Sequence, residues 1–205
     1  MRTVEDRNGR DVRETIEKLA QQIAEADGSS LYDAGREESK APIRAKALRV
    51  LDQRMRSRKE LVERLEAVEE FPTSMIEEVV DDLTRSGLVN DELFASEWVR
   101  QRFASRGKSK MVLNRELQEK GIDASLRADA LEQITHNAEE EVARKLAAKK
   151  AATIKTVAPD FNSKQKDLRK VVGVLARRGF PSELSMSIAR DQLEERYREL
   201  EEDTD

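Results

Sequence analysis

Apolar residues recur along this chain in a pattern that appears three times. Leu61 and Leu65 stand four residues apart, as do Leu113 and Leu117, and Val171 and Leu175. Residues at i and i+4 share one face of an α-helix. Each pair is followed, after a short gap, by a bulky anchor: Phe71, Ile122 and Phe180. Four residues past the anchors come Met75, Leu126 and Leu184; eight past, Val79, Ala130 and Ile188; nine past, Val80, Leu131 and Ala189. Twelve past are Leu83 and Ile134, whereas the third copy has Gln192 there and slips to Leu193. These offsets draw a single stripe on a helix of 3.6 residues per turn.

Punctuation agrees with that reading. Thr73 or Ser74, Asp123 and Ser182 are cap candidates at the starts of the striped helices. Gly87, Gly121 and Gly179 fall at helix ends, where a left-handed residue is cheapest as glycine. A further helix precedes each leucine or valine pair, holding Ala47, Leu48 and Leu51, then Phe94, Ala95, Trp98 and Val99, then Val142 and Leu146. The expected fold is all-α: three tandem three-helix repeats at 42–90, 91–135 and 136–196, stacked into a curved elongated array. Thr153 to Gln165, with Pro159, reads as an insertion inside the third repeat. Residues 1–41 read as a flexible or helical arm. Val12, Ile16, Leu19, Ala20 and Ile23 lie at helical spacing there, and Asp27 to Lys40 has the polar character of a linker. Residues 197–205 read as an acidic tail.

Composition narrows the picture. Charged residues are 39% and aromatic ones 4%, a balance for helices with wet faces and not for sheets. Cysteine is absent, which removes disulfides, thiolate metal sites and cysteine nucleophiles, and suits a reducing cytoplasm. No apolar run approaches the roughly 18 residues of a membrane span. The net charge of −4 hides blocks of opposite sign. Arg44 to Lys59 has seven basic residues and one acidic, Glu60 to Glu97 two and twelve, Arg100 to Lys120 seven and two, and Val142 to Arg178 eleven and two.

Catalytic chemistry finds little material. The lone histidine, His136, sits beside Asn137 and reads as solvated or capping. Gly107-Lys108-Ser109 ends like a phosphate-binding loop, but the glycine needed five residues earlier is Arg102. Glu77-Glu78 and Asp81-Asp82 diverge around a helix, so they form a wet face and not a metal cage. Trp98 falls on the apolar face with Phe94 and Val99, which favours packing over base stacking. No enzyme activity, metal or cofactor is expected.

The basic residues are more informative because they recur near the first interhelical junction of every repeat. Candidate binding residues are Arg54, Arg56, Arg58 and Lys59; Arg102, Arg106, Lys108, Lys110 and Arg115; and Lys149, Lys150, Lys166, Arg169 and Lys170. If the repeats stack alike, these line one side, where a polyanion would release counterions without its sequence being read. Helix-end dipole compensation is the plainer alternative.

Three motifs carry a resemblance. They are Ala47-Leu48-x-x-Leu51-x-x-Arg54-x-x-Ser57-x-x-Glu60-Leu61-x-x-x-Leu65; Gly87-Leu88-Val89-Asn90-Asp91-x-x-Phe94-Ala95-x-x-Trp98-Val99-x-x-Arg102; and Glu116-Leu117-x-x-Lys120-Gly121-Ile122. In this order they resemble the bacterial RecX family. Asn90 and Trp98 depart from that family's more usual acidic residue and tyrosine. The resemblance implies a modulator of the RecA recombinase, built of three-helix units that lodge in the RecA–DNA filament and lower its ATPase, strand-exchange and co-protease activities. It further implies weak, non-specific contact with single- or double-stranded DNA. A monomer is expected when the protein is free. The competing expectation is an autonomous DNA-binding regulator of helix-turn-helix type.

Overall fold

A computed structural model describes residues 34–68 and 70–203. The expected arm helix around Val12 to Ile23 lies outside them. Among the described residues there are nine helices and no strand. Residues 34–53 are helical (α1). There follow α2 (Arg58–Glu66), α3 (Thr73–Arg85), α4 (Asp91–Arg106), α5 (Lys110–Glu119), α6 (Ala124–Glu132), α7 (His136–Ala151), α8 (Phe161–Ala176) and α9 (Ser182–Glu202). The described residues divide into two compact units, one of residues 34–54 and 62–83, the other of 55–61 and 84–203.

In the first unit, α1 buries Ile43, Ala47 and Val50, and α3 buries Ile76, Val79, Val80 and Leu83. Leu48, read from the sequence as a core residue, is 43% exposed because its neighbour Ala47 takes the inward position. Residues 34–40, read as the end of a linker, are helical. The reason is electrostatic: one turn apart, Arg36, Lys40 and Arg44 meet acidic side chains of α3. Arg36 Nε donates to Glu78 at 3.2 Å, Lys40 Nζ lies 2.8 Å from the same carboxylate, and Arg44 Nη2 is 3.1 Å from Asp82. The bonds from Arg36 and then Lys40 hold the Glu78 carboxyl down to about 2. The acidic face of α3 is therefore partly neutralised from within.

In the second unit, α4, α5 and α6 enclose Phe94, Ala95, Val99, Leu113, Leu117, Ile122, Ala130 and Ile134. Helices α7, α8 and α9 enclose a second cluster, in which Ala143, Ala147 and Ala151 recur every four residues along α7. These alanines, and not Val142 and Leu146, form its central line, and small side chains let the helices approach closely. The five helices from α4 to α8 begin on side-chain caps: Asn90, Ser109, Asp123, Thr135 and Asp160 each accept a bond from a backbone N–H two or three residues on. Thr73 and Ser182, expected as caps, are instead the first helical residues after Pro72 and Pro181. The expected insertion is shorter, since Asp160 starts α8 and Phe161 to Gln165 already belong to that helix.

The expected acidic tail is largely helix. Helix α9 runs on through Glu202 because Tyr197, one turn past Leu193, is buried in the core, and its hydroxyl donates to Asp167 at 3.0 Å. Burial, and then the Asp167 carboxylate, push the phenol up to about 12. The folded state thus holds this proton more tightly than the unfolded chain, whose tyrosine titrates near 10. The stability so gained is complete below pH 10 and is lost as pH rises through 12. Tyr197→Phe is expected to flatten the alkaline limb of the stability–pH profile, as read by urea unfolding at pH 8 to 11.5.

Candidate functional site

The polar groups of the second unit converge at two joints of one design. Helices α2 and α5 each begin on a serine that is fully buried, Ser57 and Ser109. A buried hydroxyl must satisfy both its hydrogen and its lone pairs. Ser57 Oγ accepts from the Glu60 amide at 3.1 Å and donates to the Lys120 carbonyl at 2.8 Å. Ser109 Oγ accepts from the Val112 amide at 3.3 Å and donates to the Gly179 carbonyl at 2.7 Å. The next amide along is also taken by the following repeat. Arg58 N donates to Asp91 and Lys110 N to Glu139, each at 2.8 Å. Burial pushes the Asp91 carboxyl up, opposed by that Arg58 bond. The second joint is closed further by Ser109 N on the Arg178 carbonyl and Arg178 Nε on the Arg106 carbonyl, both at 3.0 Å.

Between these joints lies a charged cluster around Trp98. Its ring stacks on Phe94 with centroids 5.4 Å apart. The Arg102 guanidinium sits 3.7 Å from the Trp98 ring centroid, and Lys120 Nζ 5.2 Å from it. The indole Nε1 donates to Glu116 at 3.1 Å. Glu116 also takes Lys108 and has Arg102 Nε at 3.8 Å, while Lys120 pairs with Glu60. Trp98 is therefore half core and half platform, its edge fixed by a carboxylate and its face covered by cations.

This geometry redistributes the candidate basic residues. Arg102 and Lys108 turn inward onto Glu116. Gly107 is the left-handed cap of α4, with φ at 58°, and Lys108 is an ion-pair partner, so the Gly-Lys-Ser run is a helix junction. Lys59 Nζ donates to the Glu119 carbonyl at 3.2 Å. Arg54 and Arg106 are exposed, Arg56, Arg58 and Lys110 half-buried, and exposed Arg115 has Glu119 at 3.9 Å. Lys150 is half-buried, and Lys149 lines a shallow groove of about 330 Å³ with Gln192, Glu195, Arg196 and Glu199 of α9. Lys166, Arg169 and Lys170 stand together, exposed, on α8. The structure thus gathers Arg102 with Lys108, and Lys166 with Arg169 and Lys170. It brings Lys149 towards α9 instead.

The motif residues quoted for the family resemblance, Ser57, Glu60, Asp91, Trp98, Arg102, Glu116, Lys120 and Gly121, are the ones that meet here. Comparison with known proteins takes up the same positions. Family models for the first, second and third three-helix domains of RecX match residues 44–83, 90–131 and 138–188. A regulatory protein RecX of Corynebacterium efficiens is 51% identical over 92% of this chain and 90% of its own length. The chain belongs to the RecX family. A regulatory protein RecX of Streptomyces coelicolor is 34% identical over 85% of this chain and 93% of that protein. A crystal structure of RecX from Lactobacillus salivarius superposes with a TM-score of 0.63 at 25% identity, covering 77% of this chain and 98% of the other. A second RecX crystal structure gives 0.64, also at 25% identity, over 77% of this chain and 74% of that one. RecX proteins form a regulatory family, and the fold of three three-helix domains expected from the sequence is this family's. The joint roles of Ser109 and Glu139 escaped the sequence reading, which took Gly179 only as a helix end. Their signal was a serine one repeat length after Ser57, again directly before a helix.

Proposed function

We propose that this chain binds the RecA nucleoprotein filament and lowers its ATPase, strand-exchange and co-protease activities during DNA repair in the cytoplasm. The supporting observation is the ordered match of all three RecX domains, with the motif residues of the first two meeting in one joint. A repeated protein scaffold suits a repeated polymer. Successive domains engage successive protomers, and once one is bound the others act at high effective concentration. Among the described residues no helix is long and apolar enough to cross a membrane, which agrees with this setting. The net charge of −4 disfavours a stand-alone reader of duplex DNA, since an acidic protein is repelled by phosphate.

The test is a titration of RecA ATPase on single-stranded DNA. The rate is expected to fall at substoichiometric protein. An unchanged rate with the protein in excess overturns the proposal, and sequence-specific retardation of duplex DNA without RecA would support the helix-turn-helix reading instead.

A further inference from the structure

One long face of α1 is turned to solvent. Ile43, Ala47 and Val50 point inward. The side opposite them carries Ala34, Glu38, Ala41, Ala45, Leu48 and Asp52, all exposed. These positions recur at alternating steps of four and three residues, the spacing of a seam for a second helix. A lone exposed leucine needs no explanation. Leu48, 43% exposed, is not alone: it closes a line of alanines, whose small side chains let another helix approach closely.

A matching stripe stands in the same chain, outside the described residues. Val12, Ile16, Leu19, Ile23 and Ala26 also alternate by four and three. From Val12 to Ala26 and from Ala34 to Leu48 the reach is the same, about 21 Å as helix. Asp27 to Asp33 lies between them, with Gly28 placed to end the first helix. Its length is within the roughly 2–8 residues that join neighbouring helices. Folded back on this connector, the stripes meet in register, with Leu19 on Ala41, Ile16 on Ala45 and Val12 on Leu48. Each exposed alanine then faces a large side chain, which fills the contact without voids. Ile23 falls beside Glu38, the one polar position in the contact. A second copy of α1 fits the face less well. Antiparallel pairing would set Ala41 against Ala45 and Leu48 against Glu38.

We infer that the outer face of α1 is the docking seat of the chain's own residues 12–26, which lie along it as an antiparallel helix. This stands apart from the filament reading, and neither depends on the other. The absence of cysteine allows a direct test in the full chain. I16C/A45C is expected to form an intramolecular disulfide about tenfold faster than E14C/A45C, since the tether is nearly equal but Glu14 is on the far side of the helix from Ile16. A helix of about 15 residues is marginal in isolation, so the helicity of this segment needs its seat. Leu48→Asp, a change at an exposed position, is expected to remove helical circular dichroism worth about 15 residues, and I16D/L19D to remove the same amount. A loss of that size separates release of the segment from unfolding of α1 and α3, which would cost roughly twice as much signal. Equal disulfide rates for the two cysteine pairs, or a Leu48→Asp variant that keeps its full helical signal, overturns the docking. So does a disulfide that forms between chains and not within one, which would give the face to a second copy.

Discussion

Replacing Gly179 by alanine is expected to lower the stability of the second unit by about 2–5 kcal/mol, the sum of a backbone penalty and a steric one. The backbone penalty follows from φ at 80°, a region costing any L-residue with a Cβ roughly 1–2 kcal/mol. The steric part follows from position. A Cβ would lie 2.2 Å from Val112 Cγ2 and 2.9 Å from Ser109 Oγ. Val112 is β-branched and stiff, and Ser109 is committed to the Gly179 carbonyl, so neither yields without loosening the joint. Gly87 supplies the control. Its φ of 78° is nearly the same, but a Cβ there meets nothing within 4 Å. Gly87→Ala should therefore cost only the backbone share, about 1–2 kcal/mol. Gly121 lies between the two, because its Cβ would press at 2.7 Å on the stem of Lys59, which can swing aside in part. Urea unfolding of the three variants, followed by Trp98 fluorescence, ranks them. Equal losses at Gly87 and Gly179 would mean that the joint is slack.

The same positions show what the sequence could and could not disclose. Helix ends were legible at Gly87, Gly121 and Gly179 because a left-handed cap needs glycine whatever surrounds it. The apolar stripes were legible because burial follows the 3.6-residue period, and Leu61, Leu65, Leu113, Leu117, Val171 and Leu175 are all fully buried. Ser57 and Ser109 were not, because hydrophobic periodicity treats a polar residue as surface. Their burial depends on a carbonyl far along the chain. Helix 34–40 and the end of α9 were misread for a related reason. A charged segment looks like a linker or tail until its partners are known: Glu78 and Asp82 for the first, Asp167 for the second. The basic clusters were legible as composition, but whether a cation faces inward depends on a distant carboxylate. Arg102 and Lys108 are the clearest cases, since Glu116 is 14 residues from one and eight from the other along the chain and beside both in space.

Removing Glu116 tests that inward assignment directly. Glu116→Ala is expected to cost about 2–4 kcal/mol, from charge-assisted bonds worth about 1.5–3 kcal/mol and the repulsion left behind. The carboxylate is 16% exposed, and Lys108 and Arg102 are 22% and 24% exposed, so solvent screens them only in part. Without it the indole Nε1 loses its acceptor, Lys108 loses its carboxylate, and Arg102 and Lys120 remain over the ring with Glu60 on Lys120. Glu116→Gln keeps an acceptor for Trp98 and should cost less. If the pairing is what matters, E116A and K108A will combine to less than the sum of their separate effects, because the lysine left unpaired by the first change is the group the second removes. A loss of under about 0.5 kcal/mol for E116A would place the cluster with ordinary surface pairs. Arg102 and Lys108 would then be available to a partner after all. A loss in the expected range leaves outward contact to cations without an internal carboxylate, such as the exposed Lys166 and Arg169 on α8.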